Sequence, residues 1–369
     1  MPSDDPEKRI CQKCTLENCK KCSGTRNHNE CNMCSYYYFP IYKNDKIESC
    51  SSCEIGEGDK CATCKGFYGC ATCNPGYVAV EGDCLPYYIK AEYETIQVNE
   101  KVYLIYNKYK NISMNIIFND IKENITNNEY IFGKSGIHSI TLLSPKVNSL
   151  VGLFENNEYL KSVSIINEGK IDSLENTFSG AKKLESANIT NINTYFLKSV
   201  ENIFKDCHSL KSVTFPKKFR VLNRLNGMFQ NCHLLTSIDF SNVTLGPYSI
   251  YMNNAFENCS NLEYISFENS TINKLYNIFS MFRGCSSLTS VNMSNLVFNS
   301  RFGKITINYM FYDCPKLSLI DISCLQITNN LTQDILFNDL PPEGIISINK
   351  RVLKIINETI PSNWTIIEK

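Results

Sequence analysis

A repeat with a spacing of 24 to 29 residues covers the second half of the chain and limits the folds open to it. Each copy has a phenylalanine anchor, here position 0, and further apolar residues at positions +6, +9 and +11. The anchors are Phe154, Phe178, Phe204, Phe229, Phe256, Phe282 and Phe311. Self-similarity at such a period predicts a solenoid, in which each unit buries its apolar side chains against its neighbours.

The apolar residues at +9 and +11 alternate as they do in a short strand with one buried face. The predicted fold class is therefore mainly β, a leucine-rich-repeat solenoid with a disulfide-rich N-terminal stalk and a small β linker or cap. The expected domains are residues 11–84 (cysteine-rich modules), 86–130 (β linker or N-terminal cap), 131–340 (repeats) and 341–369 (C-terminal cap, with Trp364 covering the last core layer). The segment from Ile131 to Leu142 is interpreted as a degenerate eighth copy.

Cysteines are concentrated at the front of the chain, where 13 of the 19 lie before residue 85. Twelve of these form Cys-x-x-Cys pairs, and two chemistries compete for them. Four thiolates at this spacing can bind zinc, whereas a segment with few apolar residues can instead be held together by disulfides. The variable gaps between pairs favour disulfides, although spacing alone does not determine their connectivity.

The other cysteines follow the repeat, since five of them occupy position +3. Alanine stands at this position in the second copy, which predicts buried free thiols rather than a metal site. Positions +8 and +10 point outward from the predicted strands and are mostly Ser, Thr, Asn and Asp. The candidates for a binding face are the two residues that break the serine column and their polar neighbours: Tyr264, Leu319, Ser237, Asp239, Ser290 and Asp321.

Several classes of function are disfavoured by the composition. Lys plus Arg and Asp plus Glu number 37 each, and there is no basic patch for nucleic acid. We found no triad, phosphate loop or paired carboxylates, so no enzyme, cofactor or metal is expected. No signal or membrane-spanning segment is evident. Ten Asn-x-Ser/Thr sequons occur; Asn188 and Asn292 lie on the presumed binding face, and the glycosylation candidates are Asn111, Asn124, Asn242, Asn269 and Asn330.

Two segments, Met228–Thr244 and Met281–Asn295, closely resemble the BspA-like leucine-rich repeats of bacterial and protist surface proteins, and the similarity extends over residues 131–340. The front end is similar to furin-like or epidermal-growth-factor-like modules. That second resemblance implies hairpins closed by a later cysteine, with Cys34 paired to Cys50 and Cys73 to Cys84.

Together the two resemblances imply an extracellular or cell-surface glycoprotein that adheres to a protein or glycan ligand on another surface. Self-association and membrane association through segments outside this sequence are compatible with that expectation. Two alternatives stay open: a structural surface-coat protein, and an intracellular zinc-binding repeat scaffold.

Overall fold

The chain divides into two compact units, residues 1–87 and residues 88–369, which we describe separately. The computed structural model describes residues 87–105, 114–119, 121–125, 128–143, 150–167, 171–272, 274–294, 296–297, 305–325, 331–332 and 336–369, together with the backbone of the short strands that precede residue 86.

Short antiparallel strands form the described part of the first unit. They are β1 (Cys19–Ser23), β2 (Glu30–Cys34), β3 (Tyr38–Lys43), β4 (Lys46–Ser52), β5 (Cys61–Cys64), β6 (Cys70–Cys73), β7 (Val78–Val80) and β8 (Asp83–Leu85). The sheet order is β1-β2-β4-β3, with two further hairpins, β5-β6 and β7-β8. The side chains of the disulfide candidates Cys34, Cys50, Cys73 and Cys84 lie outside the described residues, so these disulfides stay predictions.

The second unit begins with an antiparallel region made of β9 (Tyr87–Thr95), β10 (Glu100–Tyr103), β11 (Met114–Phe118), β12 (Ile121–Ile125), β13 (Glu129–Phe132) and β14 (Gly136–Leu143). Four of these strands lie in the order β12-β11-β14-β9, and this sheet continues directly into the first strands of the solenoid. It therefore covers the N-terminal end of the solenoid core, as a cap must. Because β14 pairs antiparallel with β9, the interpretation of residues 131–142 as a degenerate repeat was wrong.

The solenoid follows, with one strand of its main sheet in each turn. Its elements are β15 (Leu160–Asn167), β16 (Ser186–Ile192), β17 (Ser212–Thr214), β18 (Ser237–Asp239), β19 (Ile250–Tyr251), β20 (Tyr264–Ser266), β21 (Leu275–Asn277), β22 (Ser290–Asn292), β23 (Ile305–Thr306), β24 (Leu319–Asp321), β25 (Leu331–Thr332), β26 (Ile345–Ile348), α1 (Lys350–Ile356) and β27 (Thr365–Glu368). The main-sheet strands pair in parallel, for example β15-β16-β17 and β22-β24-β26-β27, and we call this side of the solenoid the strand wall. The prediction of a mainly β solenoid is confirmed.

The anchor phenylalanines form one continuous stack through the core. All seven are fully buried, and neighbouring ring centroids lie 5.3 to 5.9 Å apart. Phe337 extends the stack, with its ring 6.0 Å from that of Phe311. Ile346 and Ile348 then occupy positions +9 and +11 of this additional copy, and both are fully buried. Stacking therefore continues past residue 340, into the segment that we expected to be only a cap.

A second side of each turn, which we call the turn wall, comprises positions −3 to +3 around the anchor. The backbone has a positive φ at position −2 and again at position +2 in all seven copies. Gly and Asn fill most of these sites because a larger side chain in the left-handed region costs about 1–2 kcal/mol. Backbone N–H groups on this wall donate to the next turn, as Phe154 N does to the Thr177 carbonyl at 2.8 Å.

The cysteines at position +3 are buried and free, as their pattern predicts. Each thiol donates to the carbonyl oxygen of the anchor phenylalanine one copy earlier, with Sγ–O distances of 3.0 to 3.1 Å. Burial raises the pKa of Cys259 and Cys314 to about 12. In the first copy Asn157 takes this position, and its Nδ2 donates to the Tyr103 carbonyl of the cap at 2.9 Å.

At the C-terminal end, α1 and β27 follow the last turn. Trp364 is 6% exposed and its Nε1 donates to the Pro341 carbonyl at 3.0 Å. The ring fills the space beside Gly344, where an added Cβ would lie 2.6 Å from it. Trp364 therefore packs into the end of the core, as expected of a cap residue, rather than presenting its ring to solvent.

Candidate interaction surface

The outward positions of the strand wall form two columns that follow the strand register. Position +8 aligns Ser162 with Ser186 and Ser212 in one group of strands, and Ser290 with Leu319 in another. Ser237 is likewise aligned with Tyr264. These side chains have no part in the core, so the fold does not restrict their size. Most of them are nevertheless small and polar, which makes the surface nearly regular.

Two large side chains interrupt this polar surface, as the sequence predicts. Tyr264 is 55% exposed and Leu319 is 49% exposed. The structure adds Ile345, which is aligned with Leu319 on the next strand and is 39% exposed. Ile345 was not among the predicted residues because it belongs to the copy anchored at Phe337, which lacks the cysteine and leucine expected at positions +3 and +6.

The other binding-face candidates lie on the same wall. Ser237 and Asp239 are exposed, whereas Ser290 and Asp321 are partly covered. Asp239 lies 2.8 Å from Lys217 Nζ, and Asp321 lies 2.6 Å from Lys369 Nζ. Partial burial would raise the pKa of both carboxyl groups, but hydrogen bonds from these lysines and from Ser241 and Ser323 outweigh it, so both pKa values are lowered.

Position +10 also shapes the backbone, because its side chain accepts a hydrogen bond from the N–H two residues later. Asp239 accepts from Ser241 at 2.8 Å, and Asn292 accepts from Ser294 at 3.0 Å. Asx turns of this kind end the strand in successive copies. The sequons at Asn188 and Asn292 coincide with this motif, since Asn188 accepts from Thr190 N at 3.0 Å.

An open groove lies at the N-terminal end of the strand wall. Its polar lining comes from the cap and the first three turns: Lys90, Glu92, Ser139, Ser162, Ser164, Ser186, Asn188, Ser212 and Thr214. Ser162 Oγ donates to Glu92 Oε2 at 2.7 Å, which joins the cap to the first turn. This end of the wall offers hydrogen bonds, whereas the end near Tyr264, Leu319 and Ile345 offers apolar contact.

The glycosylation candidates fall in different environments. Asn242 and Asn269 are exposed and occupy the same position, +13, in neighbouring copies, each with a positive φ. Asn124 is also exposed, while Asn111 and Asn330 lie outside the described residues. Whether any of them carries a glycan stays a prediction.

Among the residues that the structure describes, no group of three or more His, Cys, Asp or Glu side chains could hold a metal ion. Within the same part of the chain, no helix is long and apolar enough to cross a membrane. His208 and His233 lie on neighbouring turns with ring centroids 5.1 Å apart, and no third ligand-forming side chain joins them in the described region.

Comparison with known families identifies the repeats. A family model described as a BspA type leucine rich repeat region matches in six copies, over residues 200–340 and 254–368. A second model, described as a Mycoplasma protein of unknown function (DUF285), matches residues 113–242. No curated protein matches the chain, and no solved structure matches it.

The chain thus carries BspA-type leucine-rich repeats, in a match that begins just before the first copy with a cysteine at position +3. The fold is a β solenoid. Proteins with these repeats are typically non-enzymatic binding or scaffold proteins and are often found at the cell surface.

Proposed function

We propose that this chain is a non-enzymatic cell-surface protein that recognises a protein or glycan through the strand wall. The observation that carries the proposal is the combination of a regular polar surface with two exposed large side chains, Tyr264 and Leu319. Packing does not require either residue, since serine occupies position +8 in most other copies. Ser237, Asp239, Ser290 and Asp321 would supply polar contacts around them.

The proposal includes the organisation of the whole chain. Residues 11–84 form a disulfide-stabilised stalk, strands β9 to β14 a β cap, and the turns anchored at Phe154 to Phe337 the recognition repeats, with α1 and β27 as the C-terminal cap. The chain would be extracellular, with glycans on exposed sequons such as Asn242 and Asn269.

Binding by the purified chain to intact cells and to immobilised matrix proteins tests the recognition role. We expect saturable binding. The double substitution Tyr264→Ser, Leu319→Ser should weaken this binding at least tenfold. The melting temperature should stay nearly constant because both side chains point away from the core. Tyr248→Ser is the matched control, since Tyr248 is 50% exposed but lies off the strand wall.

The competing functions predict different results. A structural coat protein would show concentration-dependent self-assembly and no saturable binding to any of these surfaces. An intracellular zinc scaffold would have reduced front-end cysteines and stoichiometric zinc, which thiol alkylation and metal analysis would detect. Either result would contradict the recognition proposal.

Peptide mapping without reduction tests the proposed connectivity. A link between Cys34 and Cys50 joins the tryptic peptides of residues 27–43 and 47–60. The backbone register suggests a different pairing, because Cys19 lies opposite Cys34 and Cys61 lies opposite Cys73. A disulfide-linked pair of peptides of residues 14–20 and 27–43 would therefore support cross-strand disulfides and contradict the proposed ones.

A further inference from the structure

Three aromatic rings and an arginine cluster on the turn wall of the last repeats, and two of the rings lie beside the guanidinium. The Arg283 guanidinium carbon lies 5.3 Å from the ring centroid of Tyr312 and 5.9 Å from that of Tyr309. The Tyr309 ring also contacts Phe279, at a centroid distance of 5.7 Å, and Tyr312, at 5.9 Å. We call Phe279, Arg283, Tyr309 and Tyr312 the Tyr309 cluster. All four side chains are at least partly exposed.

A carboxylate holds the arginine in place from the neighbouring turn. Glu257 is only 7% exposed, and it accepts hydrogen bonds from Asn254 Nδ2 at 2.5 Å and Gln230 Nε2 at 2.6 Å. Its other oxygen lies 3.5 Å from Arg283 Nη1. This ion pair and the two tyrosine rings restrict the guanidinium before any partner arrives, which reduces the entropy lost on binding. Its remaining N–H groups stay available as donors.

The backbone of Tyr309 gives independent support for a role in binding. Tyr309 occupies position −2 with a φ of 56°, in the left-handed region. Five of the other six anchored copies have Gly or Asn at this position, residues that adopt this conformation more easily, and the sixth has the small Ser280. A bulky aromatic residue here is strained, and its ring is only partly buried. Strained residues of this kind are concentrated at functional sites.

We propose that the Tyr309 cluster is a contact surface for a protein partner that presents a carboxylate beside an apolar side chain. This proposal rests on the proposed recognition function and identifies a second contact surface for it. Tyr, Phe and Arg are enriched in protein interfaces, whereas Ser and Asp, which are frequent on the strand wall, are depleted. The rings supply apolar contact, and the planar guanidinium donates to the carboxylate.

Two variants test the assignment on the full chain, with intact cells and surfaces coated with collagen, laminin or fibronectin as probes. Tyr309→Asn restores the residue type of earlier copies, so we expect an unchanged or higher melting temperature and at least tenfold weaker binding. Arg283→Gln removes the charge-assisted contact and should weaken binding without unfolding the chain. Tyr248→Ser, which removes an exposed tyrosine elsewhere, should leave binding unchanged.

The possible outcomes separate this assignment from the recognition function itself. If Tyr309→Asn lowers the melting temperature by several degrees while binding is retained, the ring serves packing and the assignment is overturned. Loss of binding only in the Tyr264→Ser, Leu319→Ser variant also overturns it but leaves the recognition function intact. If the unmodified chain binds none of the probes, the recognition function fails, and the assignment fails with it.

Discussion

The strand wall and the turn wall belong to the same turns of the solenoid, yet they limit the sequence in different ways. On the strand wall, outward positions accept Ser, Tyr or Leu because the backbone is extended and side chains leave the core freely. On the turn wall, two positions in every copy require a positive φ, and Gly or Asn fills most of them. A large side chain at one of these turn-wall positions therefore destabilises the chain more than one on the strand wall. Tyr309 is for this reason stronger evidence of a functional role than Tyr264.

The anchor phenylalanines belong to the core that both walls share. Removing one of them should give the largest loss of stability. Phe229→Ala should lower the free energy of unfolding by about 3–5 kcal/mol, because it leaves a cavity between two stacked rings. Chemical denaturation would measure the loss. Ser237→Ala, on the strand wall of the same copy, is the control and should change stability by less than about 0.5 kcal/mol. Equal effects of the two substitutions would contradict the assignment of core and surface.

The positive φ of the turn wall can be tested at one of its glycines. Gly227 has a φ of 60°, and an added Cβ would lie 2.2 Å from Asn202 Oδ1. Gly227→Ala should destabilise the chain by about 1–3 kcal/mol, measured as a lower denaturation midpoint. Gly133→Ala in the cap is the matched control, since an added Cβ there meets nothing within 4 Å. A stable Gly227→Ala chain would show that the wall tolerates ordinary residues.

The cysteine column should give a smaller effect and a dependence on pH. Cys259→Ala should cost about 1 kcal/mol or somewhat more, because packing and one thiol hydrogen bond are lost. The raised pKa of Cys259, about 12, means that the unfolded thiol ionises first as the pH rises above about 9. The contribution of the thiols to stability should therefore be constant below pH 9 and fall between pH 9 and 12, by up to about 1.4 kcal/mol per pH unit for each buried thiol. Cys259→Ala should reduce this dependence of stability on pH by the contribution of one thiol, which denaturation at pH 8 to 12 would measure.

The repeat made the solenoid predictable, because apolar positions at a fixed period can be counted without knowing the turns. Burial of the position +3 thiols followed from the same period. The thiol hydrogen bonds did not, since they depend on where the previous copy places its carbonyl oxygen. The copy anchored at Phe337 was missed because Leu340 and Glu343 replace the expected cysteine and leucine. The Tyr309 cluster was missed because its four residues come from two turns and are spread over positions −3, −2 and +1.

The turn wall had a sequence signal that the search for apolar positions overlooked. Gly, Asn or Asp stands at position +2 in all seven copies and predominates at position −2. Some of these side chains also contact one another, as Asn258 Nδ2 donates to Asn231 Oδ1 at 2.9 Å. The abundance of asparagine is therefore partly a requirement of the fold, which reduces the weight of any single sequon as evidence for a glycan.

The smallest expected effect tests whether an asparagine of the strand wall is also required by the fold. Asn292 accepts from Ser294 N at 3.0 Å, and Asp321 accepts from Ser323 N at 3.0 Å in the next copy. Either residue provides the acceptor, so Asn292→Asp should change the free energy of unfolding by less than about 0.5 kcal/mol. Asn292→Ala removes the acceptor and should cost about 0.5–1.5 kcal/mol. If aspartate destabilises the unglycosylated chain as much as alanine does, the amide nitrogen is needed, and the Asx turn does not explain why asparagine occupies this position.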